Sequence, residues 1–196
     1  MTGAHNVKAY GAAGDGKTDD TEAFKAAVAA AESDGLPVYV PGGKYLVSDT
    51  IALNSVTLYG YPTGAWTADN CDLPTVLHSN MTVPLFDVRS GALSGLHIEC
   101  SYTKEGKKAA TVMITGTGGR VTDMTIRNPY IGIMCDDKSN PGRCYIGNIF
   151  IVQAWEMGVY VAGTYDVPII ENVEVWNNGE TGKIGFRFAH NDDIRA

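Results

Sequence analysis

Four segments of this chain repeat one pattern. They are "LSGLHIEC" from Leu93, "VTDMTIRN" from Val121, "IGNIFIVQ" from Ile146 and "IENVEVWN" from Ile170. Each reads apolar, any, small or polar, apolar, any, apolar, and they start 28, 25 and 24 residues apart. Units of this length cannot bury an apolar face alone, so a period in this range predicts a solenoid of stacked coils. A second alternating stretch accompanies each unit: Val112 and Ile114, Ile133 and Cys135, Val159 and Val161, Phe186 and Phe188. Such alternation marks strands with one buried face. Gly132, Gly158 and Gly185 precede the last three of these pairs. Gly95, Asp123, Asn148 and Asn172 share one position in the unit, the composition expected of a bend in the left-handed backbone region. A β-sandwich also has many short strands, but it predicts hairpin turns and no repeating register.

Composition narrows the function classes. The 196 residues are 44% hydrophobic, and 23 glycines punctuate the whole chain, as many turns and short strands require. The net charge is −7 and no basic run occurs, so nucleic acid is not an expected partner. A polyanionic substrate would be repelled unless a cation or local basic patch intervened. No apolar run is long enough to cross a membrane, so none is expected as a partner. The stretch after Met1 lacks the charged and apolar regions of a signal peptide. Cys71, Cys100, Cys135 and Cys144 show no zinc spacing. Cys135 and Cys144 can pair across a loop, but four cysteines allow three pairings and spacing does not choose among them.

"GDGKTDDTEAF" at Gly14–Phe24 gathers Asp15, Asp19, Asp20 and Glu22. A calcium loop of the EF-hand type fails here, because Lys17 occupies the third position from Asp15. A helix over residues 18–34 fits better. Phe24, Ala27, Val28 and Ala31 form one apolar stripe, Thr18 or Asp19 can cap it, and Asp19 with Glu22 has capping-box spacing. Gly35 and Pro37 stop it.

The strings "VKAYGAAGDGKTDDTEAFKAAVAAA" and "VYVPGGKYLVSDTIAL" resemble the N-terminal segment of the pectate lyase superfamily. That segment occurs in glycoside hydrolase family 28 and 55 relatives, rhamnogalacturonase-like proteins and some phage tailspikes. The resemblance implies an all-β, right-handed parallel β-helix with an N-terminal capping α-helix. One domain over residues 1–196 is expected, as the N-terminal part of a longer chain, because "GFRFAHNDDIRA" follows a strand with nothing to cover it. The resemblance further implies a polysaccharide hydrolase or lyase, pectin-like or other glycans as substrate, and an extracellular or cell-surface location. Its alternative is a non-catalytic, glycan-binding, tailspike- or adhesin-like module, which predicts an oligomer. The Asn-Thr-Asp, Gly-His-Gly and Arg-x-Lys motifs of family 28 do not occur in this chain.

Stacking the coils brings loop residues into columns. One column holds Tyr130, Trp155 and Gly179, and the next Ile131, Glu156 and Glu180. Aromatic rings can stack on a pyranose beside acids that bond hydroxyls or move protons. A second column holds Asp136 and Asp137, then Tyr165 and Asp166, then His190 with Asp192 and Asp193. Close carboxylates raise one another's pKa and supply an acid near neutral pH. The catalytic candidates are therefore Asp136, Asp137, Glu156, Asp166 and His190, and the substrate-binding candidates Tyr130, Trp155, Glu180 and Arg143. Three bland readings stand beside these: rings covering the core edge, surface ion pairs with Lys138 and Arg143, and a turn shaped by Asp166. No cofactor and no metal-ligand set is expected, although calcium suits clustered aspartates. His5, His78 and His97 show no usable spacing to acids. The chain has no G-x-S-x-G, and "GTGG" at Gly116–Gly119 lacks the lysine of a phosphate loop.

Overall fold

A computed structural model describes residues 3–61, 73–101, 108–135, 138–139, 141–177 and 184–189. Every paired strand lies parallel to its neighbours, in one 11-stranded and one 6-stranded sheet. The chain is a parallel β-helix whose coils present three faces. The first face stacks His5–Asn6, Val38–Tyr39, Thr57–Tyr59, Ala92–Ser94 and then the opening residues of Arg120–Arg127, Tyr145–Val152 and Ile169–Trp176. The second stacks Asp15–Asp19, Gly43–Val47, Pro74–His78, His97–Cys100 and the closing residues of those three long strands. The third stacks Ile51–Asn54, Phe86–Arg89, Ala110–Ile114, Ile131–Cys135, Met157–Ala162 and Ile184–Ala189.

The repeat read from the sequence is the register of the molecule. Leu93 faces Val121, Val121 faces Ile146, and Ile146 faces Ile170. On the third face Val112, Ile133, Val159 and Phe186 form one column, and Ile114, Cys135, Val161 and Phe188 the next. These side chains fill one continuous core, fully buried as far as Val159 and Val161. At the last coil Phe186 and Phe188 are 40% and 41% exposed.

The bend between first and second faces falls at the shared position. Gly95, Asp123, Asn148 and Asn172 have φ of 67°, 56°, 54° and 50°. Short polar side chains tolerate this region because they can bond locally. Here they bond between coils: the Asn148 amide donates to Asp123 Oδ1 at 3.0 Å, and the Asn172 amide donates to Asn148 Oδ1 at 2.8 Å. Gly132 has a different cause. A Cβ there would stand 2.7 Å from the Ile151 side chain and 2.6 Å from the Gly158 carbonyl oxygen.

The helix, α1, spans Thr21–Asp34 and starts later than the sequence reading placed it. Residues 15–19 pair with the second-face strand Gly43–Val47, so the sheet holds them extended. α1 occupies the third-face position of the first coil and packs on Ile51–Asn54. Phe24, Ala27, Val28 and Ala31 face inward as the stripe predicts, and Phe24 meets the buried Tyr45 ring edge-on at 5.5 Å. Gly35 ends the helix with φ 76°, its N–H donating to Ala31 O.

The capping box does not form. Asp19 accepts from the Thr21 N–H at 3.0 Å and from Ser48 Oγ, while Glu22 pairs with Lys25. Asp20 occupies the cap position but turns its buried carboxylate backward, accepting from the Ala13 and Gly14 N–H groups at 2.7 and 3.1 Å. Asp15 accepts from the backbone N–H groups of Lys17 and Thr18. All four acids of the opening stretch thus have structural partners.

The coils before Leu93 show no regular period in the sequence. Val38, Leu58 and Leu93 are stacked neighbours, yet their spacing is 20 and then 35 residues. Unequal loops hide a repeat that the sheet keeps in register.

Three outcomes are expected from this architecture. Asp20→Ala strands two backbone donors and should lower unfolding free energy by about 2–4 kcal/mol, read by urea titration. Asn148→Ala should cost about 1–3 kcal/mol, and Asn148→Gly less, since glycine restores the left-handed backbone but not the ladder bonds. His78 is buried, and burial pushes its pKa down to about 4 from 6.5. The unfolded chain therefore takes up a proton that the folded chain refuses, so this stability is complete above pH 6.5 and lost as pH falls toward 4. The loss should reach about 3 kcal/mol and vanish in His78→Gln, measured as the difference between their pH–stability curves.

Candidate functional site

The turns entering the third face hold the first column of candidates. Tyr130 and Trp155 sit in the turns that lead from second to third face, in adjacent coils. The Trp155 N–H donates to Pro129 O at 2.8 Å, and the Glu156 N–H donates to Tyr130 O at 2.9 Å. Asn128 and Gln153 shape these turns with φ of 53° and 56°. The expected pairing of Ile131 with Glu156 does not hold, because Ile131 faces Met157. Glu156 is an extra residue in its turn, which places its side chain beside the stack and outside the core columns. Tyr130, Trp155 and Glu156 are all half-buried. Tyr130 packs against both the central core and a smaller outer apolar cluster.

That outer cluster was not singled out from the sequence. Ala110, Ile131 and Met157 form its buried floor, and Met113, Met134, Tyr160 and Ile184 pack against it. Met113, Met134, Tyr160 and Arg187 occupy one outward column across successive coils. The Arg187 guanidinium lies over the Tyr160 ring at 5.3 Å. The signal was available: each of these residues stands between two inward residues of an alternating strand. The column continues to Asp87, which faces Met113 and pairs with Arg89, so among the described residues this surface carries thioethers, the Tyr160 ring, a paired carboxylate and Arg187.

The second column lies at the other end of the same strands. The Arg143 Nε donates to Asp166 Oδ2 at 2.5 Å, and the Val167 N–H donates to Asp166 Oδ1 at 3.2 Å. Asp166 itself has φ 66°. The Arg143 guanidinium, more than any other neighbour, holds the Asp166 carboxyl below the usual carboxylate range. An ionised carboxylate has no proton to give, so Asp166 suits an acceptor or base better than an acid. Strand Met157–Ala162 separates Glu156 from Asp166, a rise of about 20 Å. The two carboxylates cannot flank one glycosidic bond, which needs a separation of about 5–9.5 Å. Tyr130, Trp155 and Glu156 are brought together, and Arg143 with Asp166 form a separate group. Asp136, Asp137, Glu180 and His190 lie outside the described residues, as do Gly179, Asp192 and Asp193.

Two of the histidines, His97 and His5, do have acid partners. His97 Nε2 lies 2.8 Å from Glu99 Oε1, and Arg127 Nη1 lies 3.4 Å from the same oxygen. A spacing of two along a strand puts both side chains on one face, so this pair was legible in the sequence. His5 joins Tyr10 Oη at 2.6 Å to the Asp34 carboxylate at 3.0 Å, tying the first strand to the end of α1. Among the described residues no three His, Cys, Asp or Glu side chains gather as a metal-binding group. No helix among them is long and apolar enough to cross a membrane.

Comparison with known proteins agrees with this architecture. Residues 4–72 match the family described as rhamnogalacturonase A/epimerase, pectate lyase-like. The chain is 55% identical over 53 residues to the pre-neck appendage protein of Bacillus phage B103, a stretch covering 27% of this chain and 6% of that protein. It is 58% identical over 45 residues to alginate lyase 7 of Azotobacter vinelandii, covering 22% of this chain and 5% of the lyase. The chain thus matches only a small fraction of the length of these relatives. Among solved structures, the catalytic unit of the GH87 α-1,3-glucanase from Streptomyces thermodiastaticus superposes with a TM-score of 0.64 at 18% identity. That superposition covers 100% of this chain and 41% of the glucanase, and it speaks to the fold alone. The chain is thus a parallel β-helix, and its N-terminal segment, about a third of its length, is similar to the rhamnogalacturonase A/epimerase, pectate lyase-like family.

Proposed function

We propose that this chain belongs to a carbohydrate-active protein that lays a polysaccharide along the outer surface of the third face and cleaves it by hydrolysis or elimination. One observation carries the reading: Tyr130 and Trp155 occupy the turns entering the third face on adjacent coils, Glu156 follows Trp155, and Tyr160 and Arg187 stack in the outward column of the same face. Coils lie about 4.8 Å apart, so the two turns offer aromatic side chains at adjacent levels to a chain of sugars. Arg187 supplies the local positive charge that an acidic glycan needs against a net charge of −7. Glu156 is the carboxylate in these turns placed to move a proton. Asp136, Asp137 and His190 remain catalytic candidates by sequence, and Glu180 a binding one. Arg143 and Asp166, a strand's length away, serve the turn itself. Proteins named as a lyase and a glucanase share the segment or the fold, which supports glycan cleavage outside the cell or at its surface.

A second reading has its own support in the 55% identity to a phage appendage protein: a glycan-binding stem without turnover, assembled from several chains and borne at the end of a longer protein. Full-length protein should be assayed on a panel of neutral and uronic-acid glycans for reducing-end release and unsaturated-sugar absorbance, with its mass in solution measured in parallel. Cleavage by a discrete species supports the first reading; binding by an oligomer without turnover supports the second. Under the first, Glu156→Gln should lower kcat by roughly 10²–10⁴-fold. Tyr160→Ala should raise KM by about 2–10-fold with little change in kcat. Unchanged turnover in Glu156→Gln would remove that residue from the chemistry.

A further inference from the structure

Cys135 ends the third-face strand Ile131–Cys135, and Cys144 directly precedes the next coil's strand Tyr145–Val152. Their sulfurs stand 3.6 Å apart, and both residues are buried, at 0% and 1% exposure. Each is held by its own framework. Cys135 is locked in the inward column between Ile114 and Val161. Cys144 lies between two anchors: the Tyr145 N–H donates to Gly119 O at 3.0 Å, and the Gly118 N–H donates to Gly142 O at 2.8 Å. Arg143 is fixed in turn by its pair with Asp166. Neither sulfur reaches the other by accident of a mobile side chain.

We propose that Cys135 and Cys144 are a disulfide site that ties the end of strand Ile131–Cys135 to the start of strand Tyr145–Val152. Bond formation brings the sulfurs from contact to about 2.05 Å, a closure of about 1.5 Å that side-chain rotation can supply. Either thiol can donate to the other, and this contact favours the loss of one proton from the pair, written here as leaving Cys144. The oxidant is a low-molecular-weight disulfide such as oxidised glutathione. The Cys144 thiolate attacks one of its sulfurs and releases one glutathione thiolate. Cys135 loses its proton and attacks the Cys144 sulfur, releasing the second. Two protein thiols are oxidised, one disulfide is reduced to two thiols, and the two protons end on the glutathiones. Because both thiols are buried, exchange takes place before the coils close. Cys100 is not the partner: its sulfur lies against Thr111 Oγ1 at 3.3 Å in the core.

The test uses the full-length protein, refolded in oxidised and reduced glutathione with oxidised in excess, quenched by alkylation and digested. Mass spectrometry should find a peptide linking Cys135 to Cys144. The oxidised protein should melt about 4–12 °C above the same protein in dithiothreitol. That difference should vanish in the Cys135→Ser, Cys144→Ser double variant. Alkylation of both residues after oxidative refolding, a link from either one to Cys71 or Cys100, or equal melting with and without dithiothreitol would overturn the proposal. The peptide map uses the unmodified protein, so it decides the matter even where the double variant does not fold.

Discussion

Parallel pairing at a fixed register is the constraint on which the rest depends. Each coil is too short to bury its own apolar residues, so burial comes from the coil above and the coil below. Because side chains alternate along a strand, one inward choice commits every second residue of that strand. Ile133 and Cys135 face inward only because Val112, Ile114, Val159 and Val161 meet them there. At the first coil α1 supplies that cover, packing on Ile51–Asn54.

The bends are the second requirement. A coil must change direction without losing its backbone hydrogen bonds, and the left-handed residues between first and second faces accomplish this. Asp123, Asn148 and Asn172 turn the chain and tie adjacent coils through their side chains. Asp20 performs a comparable task at the start of the molecule, where a buried carboxylate satisfies two loop N–H groups. The acid-rich opening stretch is therefore architecture. Function has to be sought on the outer faces, where side chains answer to no packing partner on one side.

On those faces the stack converts sequence distance into spatial order. Met113, Met134, Tyr160 and Arg187 are far apart in the chain and adjacent on the surface. The same logic separates residues that look close in sequence. Glu156 and Asp166 are ten positions apart, yet a strand stands between them.

The sequence by itself determined the stacking period, the inward columns from Leu93 onward, the left-handed bend position and the apolar stripe of α1. These follow from local chemistry that recurs at near-regular spacing along the chain. Only the tertiary structure decided how the coils close. It held residues 15–19 extended against Gly43–Val47, so α1 begins at Thr21. It made Glu156 an extra residue by pairing Ile131 with Met157. It carried Val38 and Leu58 into the same column as Leu93 across unequal loops. It also set Cys135 against Cys144, one of three pairings the spacing left open. Loop length and register slips have no signature in any single coil, because they are differences between coils and take effect only when one is laid on the next.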